Sequence, residues 1–298
     1  MQIAQTPDNS MPVSPAPYPF EINRIGEVAG AEIIGLDLSQ PIDAATKDAI
    51  LRAFLEHHIL VFRDQSLTKD EQARFSENFG ELESHVGRHP SGEQYHIVHT
   101  VTNLGPDGKP EPKVMPKGNY YWHTDKSYHE VPSLTTMLHA IEVPEEGGDT
   151  LFANTRMGYE TLTPEMKSRI ADLKAEHSWE ASRRNTNSAP ATEEQKKARP
   201  PVTHPIVRTH PDTGEKTLYV GMHVSHIHGL PKDESDALLA ELLEHTTQPD
   251  LVYTHQWRKG DYTMWDNRCL LHRASPNYDA ATERRVLHRT VIIGTKPY

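Results

Sequence analysis

Short β-type runs separated by turn residues restrict how this chain can fold more than any other feature. SLTTMLHAIEV, TLFAN, HPIVRTH, KTLYVGMHV, LVYTHQW, DYTMWD and RRVLHRTVIIG are rich in β-branched and aromatic residues, with Gly, Pro, Asn or Asp between them. From Phe20 to Leu38, FEINRIGEVAGAEIIGLDL alternates apolar and polar residues with glycine breaks, and ILVFR (Ile59 to Arg63) reads as a buried strand. Helices are fewer. Asp43 caps one whose face carries Ile50, Leu51, Phe54 and Leu55. Thr68 and Glu71 form a capping box for a second, which carries Phe75 and Phe79 and stops at Gly80. A third starts at Thr163-Pro164, and a fourth runs through DESDALLAELLEHTTQ with Leu238, Leu239, Leu242 and Leu243 inward. The expected fold is mainly β, a sandwich or jelly roll with helices packed outside.

At 298 residues and 36% apolar content the chain can bury one large core. Residues 20–298 are expected to form a single domain. Five prolines among residues 1–19 favour a solvated, disordered arm. Residues 181–201, ASRRNTNSAPATEEQKKARPP, have no periodicity and read either as a lid loop or as plain surface disorder. No apolar run has the length of a membrane span, and the N-terminus lacks a secretion signal, so a cytoplasmic protein is expected. Cys269 stands alone, which excludes an intrachain disulfide and a thiolate zinc cluster. The formal net charge of −11, with no basic run, argues against a nucleic-acid partner. An anionic substrate would need a local cationic cluster.

In NYYWHTDKSYH, His123 and Asp125 are two residues apart, so on a strand both side chains leave the same face and can chelate one ion. That pair is common by chance and needs a third ligand. The best candidate is His272 in WDNRCLLHRA. Two imidazoles and one carboxylate on one face of an ion leave open positions, as in non-heme iron(II) oxygenases. A hydrolytic zinc site with the same ligands is the chemical competitor.

WHTD (Trp122 to Asp125), GGDT (Gly147 to Thr150), WDNR followed by LLHRA (Trp265 to Ala274) and RRVLHRTVIIG (Arg284 to Gly294) closely resemble, in order and spacing, the TauD/TfdA family of taurine and dichlorophenoxyacetate dioxygenases. The resemblance runs from about Phe20 to the C-terminus. It implies a double-stranded β-helix (jelly roll, cupin-like) core and Fe(II) on His123, Asp125 and His272. It also implies 2-oxoglutarate and O2 as co-substrates. By motif position Arg285, with Thr150 adding a hydroxyl donor, would hold the distal carboxylate of 2-oxoglutarate. Arg284 is its neighbour, and on a strand only one of the two points inward. Arg289 falls on the Arg285 face and matches the family arginine that holds the substrate's anionic group. His85, after FGEL (Phe79 to Leu82), best fits an assisting histidine, with His89 as its rival. Asn119 matches a substrate-pocket asparagine, and Lys126 adjoins the triad.

The resemblance thus implies hydroxylation of a small anionic sulfonate or carboxylate, with C–O or C–S cleavage where the hydroxylated product fragments, and a homodimer or homotetramer. A zinc hydrolase has no need of the carboxylate clamp at Arg285 and Thr150, and a non-catalytic barrel has no need of the triad. Elsewhere the readings are structural. In GMHVSHIHG the odd spacing of His223 and His226 faces them apart on a strand, so the cluster with His228 reads as polar surface or pocket lining rather than a second metal site, and His57-His58 caps a helix. Trp122 and Trp265 are core residues, and Gly147-Gly148 is not a phosphate loop. Asp266 and Asn267 fix the turn before His272.

Overall fold

The computed structural model describes residues 17–84, 87–88, 94–95, 97–111 and 116–298. The chain forms a double-stranded β-helix, as expected. Its larger sheet has seven strands in the order Glu21–Arg24, Ala31–Ile34, Ile59–Phe62, Tyr262–Asp266, Ser133–Glu142, Val286–Ile293, His99–Thr102. Among the described residues only Ala31–Ile34 and Ile59–Phe62 pair in parallel. The smaller sheet facing it has the order Val252–His255, Thr150–Asn154, Leu270–Ala274.

Strand alternation sorts the core into layers. In the fully buried strand Ile59–Phe62, Ile59 and Val61 point to the space between the sheets. There they meet Leu138, Trp265 and Leu287 of the large sheet and Phe152 and Leu270 of the small one. Leu60 and Phe62 take the opposite face, where Met137, Tyr262 and Met264 join Ile50, Phe54 and Phe75 of the covering helices. A sheet covered on both faces needs such an uninterrupted apolar strand. Beyond the small sheet, Ala153 and Leu271 pack with Leu238 and Leu242 of the helix Lys232–Thr246.

The helix signals lie where the sequence puts them. Asp43 accepts from the Thr46 amide to start Ala44–His57, Thr68 and Glu71 close a capping box on Lys69–Glu77, and Thr163 caps Pro164–Ile170. The end of the first helix differs in detail. His58 takes the left-handed conformation, φ 62°, and caps through its backbone amide rather than its imidazole. The segment read as an aperiodic loop holds two short helices, Trp179–Asn185 and Glu193–Ala198, the second with a Thr192–Gln195 capping box. Their few turns have too little apolar periodicity to register as helix.

Candidate active site

His272 lies on the inward face of Leu270–Ala274, and two backbone hydrogen bonds join it to His123: His123 N to His272 O at 3.1 Å and His272 N to His123 O at 2.7 Å. This single antiparallel bridge is the extent of β structure around His123. Asp125 already lies in the turn that follows, so a regular strand does not set the pair as expected. The side chains nevertheless converge. One ligand atom from each of His123, Asp125 and His272 lies within 4.8 Å of the others, and all three residues are buried.

Neighbouring groups fix each donor. His123 Nδ1 donates to the Tyr121 carbonyl at 2.7 Å, which leaves Nε2 with its lone pair for an ion. The His272 ring packs against Trp265 and Phe152, with centroids 4.9 and 6.1 Å away. Asp125 Oδ2 accepts from the Thr136 hydroxyl, the Asp125 amide donates to Asn267 Oδ1 at 3.3 Å, and Asn267 Nδ2 donates to Thr136 Oγ1 at 3.0 Å. Burial pushes the Asp125 carboxyl up. The Arg289 charge beside it, the two neighbouring imidazoles and the Thr136 bond outweigh it, so the carboxyl stays well below its usual range. Burial pushes both imidazoles down, keeping them neutral. A carboxylate and two neutral imidazoles fit a divalent ion such as Fe(II).

Two cavities meet at this cluster. The inner one, about 80 Å³, is lined by His123, Asp125, His272, Thr150, Asn119, Arg285 and Arg289. Arg285 is buried, donates from Nε to the Gly148 carbonyl at 3.1 Å and, among the described residues, pairs with no carboxylate. Burial pushes its guanidinium down, opposed by Tyr278, Tyr120 and Asp149. Arg284 turns outward to Glu142, 2.6 Å away, so the pair divides as alternation requires. Thr150 Oγ1 accepts from Trp257 Nε1 at 3.0 Å. The outer cavity, about 530 Å³, shares His123, Asp125, Asn119 and Arg289 and adds Lys126, Tyr128, Met222, His223 and the helix residues Trp179, Ser182 and Arg183. Arg289 Nη2 lies 2.7 Å from Asp125 Oδ2, and Lys126, at φ 56°, pairs with Glu83. His85 and its rival His89 lie outside the described residues.

A family model described as taurine catabolism dioxygenase TauD, TfdA family matches residues 21–291. This chain belongs to the TauD/TfdA family of dioxygenases. It is a 2-oxoglutarate-dependent dioxygenase that uses Fe(II) and O2. The chain is 38% identical over 278 residues, 91% of it and 96% of its relative, to the alpha-ketoglutarate-dependent 2,4-dichlorophenoxyacetate dioxygenase of Cupriavidus pinatubonensis. It is 34% identical to the (S)-phenoxypropionate/alpha-ketoglutarate-dioxygenase of Sphingobium herbicidovorans, covering 95% of this chain and 96% of that one. The crystal structure of AAD-2 in complex with Mn(II) and N-oxalylglycine superposes with a TM-score of 0.84 at 35% identity, covering 93% of this chain and 98% of that chain.

Several residues around the site of this dioxygenase escaped the sequence reading. Thr136 sits mid-strand in an ordinary β run, and the Tyr121 carbonyl carries no side-chain signal. Asn267 carries Asp125, rather than only shaping the turn before His272. His223 is not one of these: it takes the pocket-lining half of its reading, buried on the wall of the outer cavity, 6.1 Å from His123 and 4.9 Å from Tyr128 ring to ring, and burial pushes its pKa down to about 3. His226 and His228 stay together outside, 5.1 Å apart. Trp265 is core, whereas Trp122 is only partly buried. Asp266 binds Arg268 and His210. Among the described residues no helix is long and apolar enough to cross a membrane.

Proposed function

We propose that His123, Asp125 and His272 hold the Fe(II), that Arg285 and Thr150 bind the distal carboxylate of 2-oxoglutarate, and that Arg289 binds the anionic group of a small organic substrate. The buried Arg285 carries this reading. A guanidinium out of water that forms no ion pair among the described residues calls for an anion from outside, and it lines the same small cavity as the three metal-binding side chains. A hydrolytic zinc site has no use for that cation.

With Fe(II) bound, the site couples oxidative decarboxylation of 2-oxoglutarate to substrate oxidation, so that substrate C–H, O2 and 2-oxoglutarate give the alcohol, succinate and CO2. The protein's own work is placement. Arg285 fixes one end of 2-oxoglutarate, Arg289 draws the substrate's anionic group to the junction of the two cavities, and Asn119 lines that junction. The helix Trp179–Asn185 walls the outer cavity, and Lys126, paired with Glu83, lines it as well. The substrate class is a sulfonate, a sulfate ester or an aryloxy or alkyl carboxylate. Relatives named for dichlorophenoxyacetate, phenoxypropionate and sulfate esters support an anionic group on an apolar body. Where the hydroxylated carbon bears oxygen or sulfur, the product fragments by C–O or C–S cleavage.

The test is succinate release across a panel of sulfonates, sulfate esters and aryloxy acids under Fe(II), 2-oxoglutarate and air. At least one panel member is expected to give stoichiometric succinate and oxidised product, and His123→Ala or Asp125→Ala to abolish both. Full turnover in either variant overturns the metal assignment.

A further inference from the structure

The antiparallel bridge that turns His123 and His272 toward the metal site has a second face, and residues one position away occupy it. Trp122 precedes His123 and Arg273 follows His272. The Arg273 guanidinium lies over the Trp122 ring, 5.0 Å from its centroid. This stack forms part of the wall of a separate, half-open cavity of about 530 Å³, lined also by Tyr121, Arg184 and the Leu239 and Leu243 side chains. None of His123, Asp125, His272, Arg285 or Arg289 lines it. It meets the outer substrate cavity only at Met222, and the helix Trp179–Asn185 stands between them, tied down by Asn185 Nδ2 to the Met222 carbonyl at 2.9 Å.

Its chemistry is that of an anion site with an apolar body. Asp236 is the one carboxylate on the cavity wall, and Lys232 already neutralises it. Among the described residues neither Arg184 nor Arg273 pairs with a carboxylate, and the buried Arg273 Nε has no hydrogen-bond partner. Two unpaired guanidiniums beside a tryptophan, a tyrosine and two leucines, in a chain of net charge −11, are a local arrangement complementary to an organic anion. The volume lies in the range of small-ligand pockets.

We propose that this cavity is a second binding site for an amphipathic organic anion, a ring or branched apolar body bearing one carboxylate or sulfonate, on the reverse of the His123–His272 bridge. The carboxylate or sulfonate sits on Arg273 and Arg184, and the apolar body packs along Trp122, Leu239 and Leu243. The site stands independently of which substrate the dioxygenase oxidises.

The experiment titrates 2-naphthoate by calorimetry into the full-length protein carrying Arg289→Ala, which removes the proposed anion contact of the substrate cavity. One site of 1:1 stoichiometry is expected to remain. Adding Arg273→Gln should weaken it about tenfold or more, the loss of a charged hydrogen bond. Adding Ala240→Trp, a change at an exposed position on the rim, should block it while the thermal unfolding midpoint holds. No binding to the Arg289→Ala protein overturns the proposal, as does binding that neither second change alters. A dimer by sedimentation that Ala240→Trp dissociates, with no naphthoate bound, also overturns it and assigns the cavity to a second copy of the chain.

Discussion

Asn267 and Thr136 form a relay onto the metal site: the Asn267 amide donates to Thr136 Oγ1 at 3.0 Å, and the Thr136 hydroxyl passes its own hydrogen to Asp125 Oδ2. Thr136 sits within the strand Ser133–Glu142 and Asn267 just past the strand Tyr262–Asp266, and the relay keeps a buried carboxylate oriented and ionised. Thr136→Val keeps the shape and deletes the donor. Its Fe(II) affinity, measured by competition with a chelator, should fall about 10- to 100-fold. Unchanged affinity in both Thr136→Val and Asn267→Ala would refute the relay's role.

The two adjacent arginines should separate cleanly. Arg285 is buried against the Gly148 carbonyl, whereas Arg284 is a partly exposed partner of Glu142. Arg285→Ala is expected to raise the KM for 2-oxoglutarate about 10- to 100-fold, the scale of a charged contact. Arg284→Ala should leave it within about twofold. The opposite ranking in steady-state succinate assays would reassign the carboxylate clamp.

Gly147 holds φ 78°, and a Cβ there would lie 2.1 Å from the Asn277 carbonyl oxygen. Asn277 in turn accepts from the Gly148 amide at 2.9 Å and donates to Asp149 at 2.7 Å, so the turn that feeds Arg285 rests on this contact. Gly147→Ala should cost about 2 kcal/mol or more in urea unfolding and weaken 2-oxoglutarate binding. Gly214→Ala is the control. With φ 74° and open space around it, it carries only the conformational penalty of about 1 kcal/mol. Equal losses would show that the Asn277 contact is of no account.

Acid should destabilise the fold in two stages. Burial pushes His58 down to about 4, opposed by Asp266. A histidine depressed on folding stabilises the protein above its unfolded value near 6.5. That contribution, about 3 kcal/mol, is lost as pH falls from about 6.5 to 4. Burial pushes Asp266 up, but its bonds to Arg268 and His210 outweigh this and hold it well below the usual range. Its contribution is present above about 3.8 and is lost as pH falls further. In urea titrations His58→Asn, a residue that tolerates the left-handed backbone, should flatten the slope between pH 6.5 and 4. An identical slope in the variant would exclude His58 as the titrating group.

What the sequence made legible follows from locality. The capping residues Asp43, Thr68 and Thr163 act within four positions of themselves, so their helices could be placed without the fold. The uninterrupted apolar run Ile59–Phe62 and the outward turn of Arg284 beside Arg285 are likewise properties of the chain. The short helices over Trp179–Asn185 and Glu193–Ala198 were not legible, because a helix of two turns carries too few apolar positions to show a period.

The residue types of the site belong to the sequence, and so does the order in which WHTD, GGDT and LLHRA occur. Tertiary structure decided how they meet. Asp125 reaches the metal cluster from a turn rather than a strand, because Thr136 and Asn267, the latter far away in the chain, hold it there. Arg285 becomes a cation in need of a ligand only once folding strips its water without supplying a carboxylate. The Trp122–Arg273 stack exists only because a backbone bridge joins His123 to His272 of the strand Leu270–Ala274. Periodicity and capping act through neighbours along the chain, whereas desolvation and counter-ion balance depend on what the fold packs around each group.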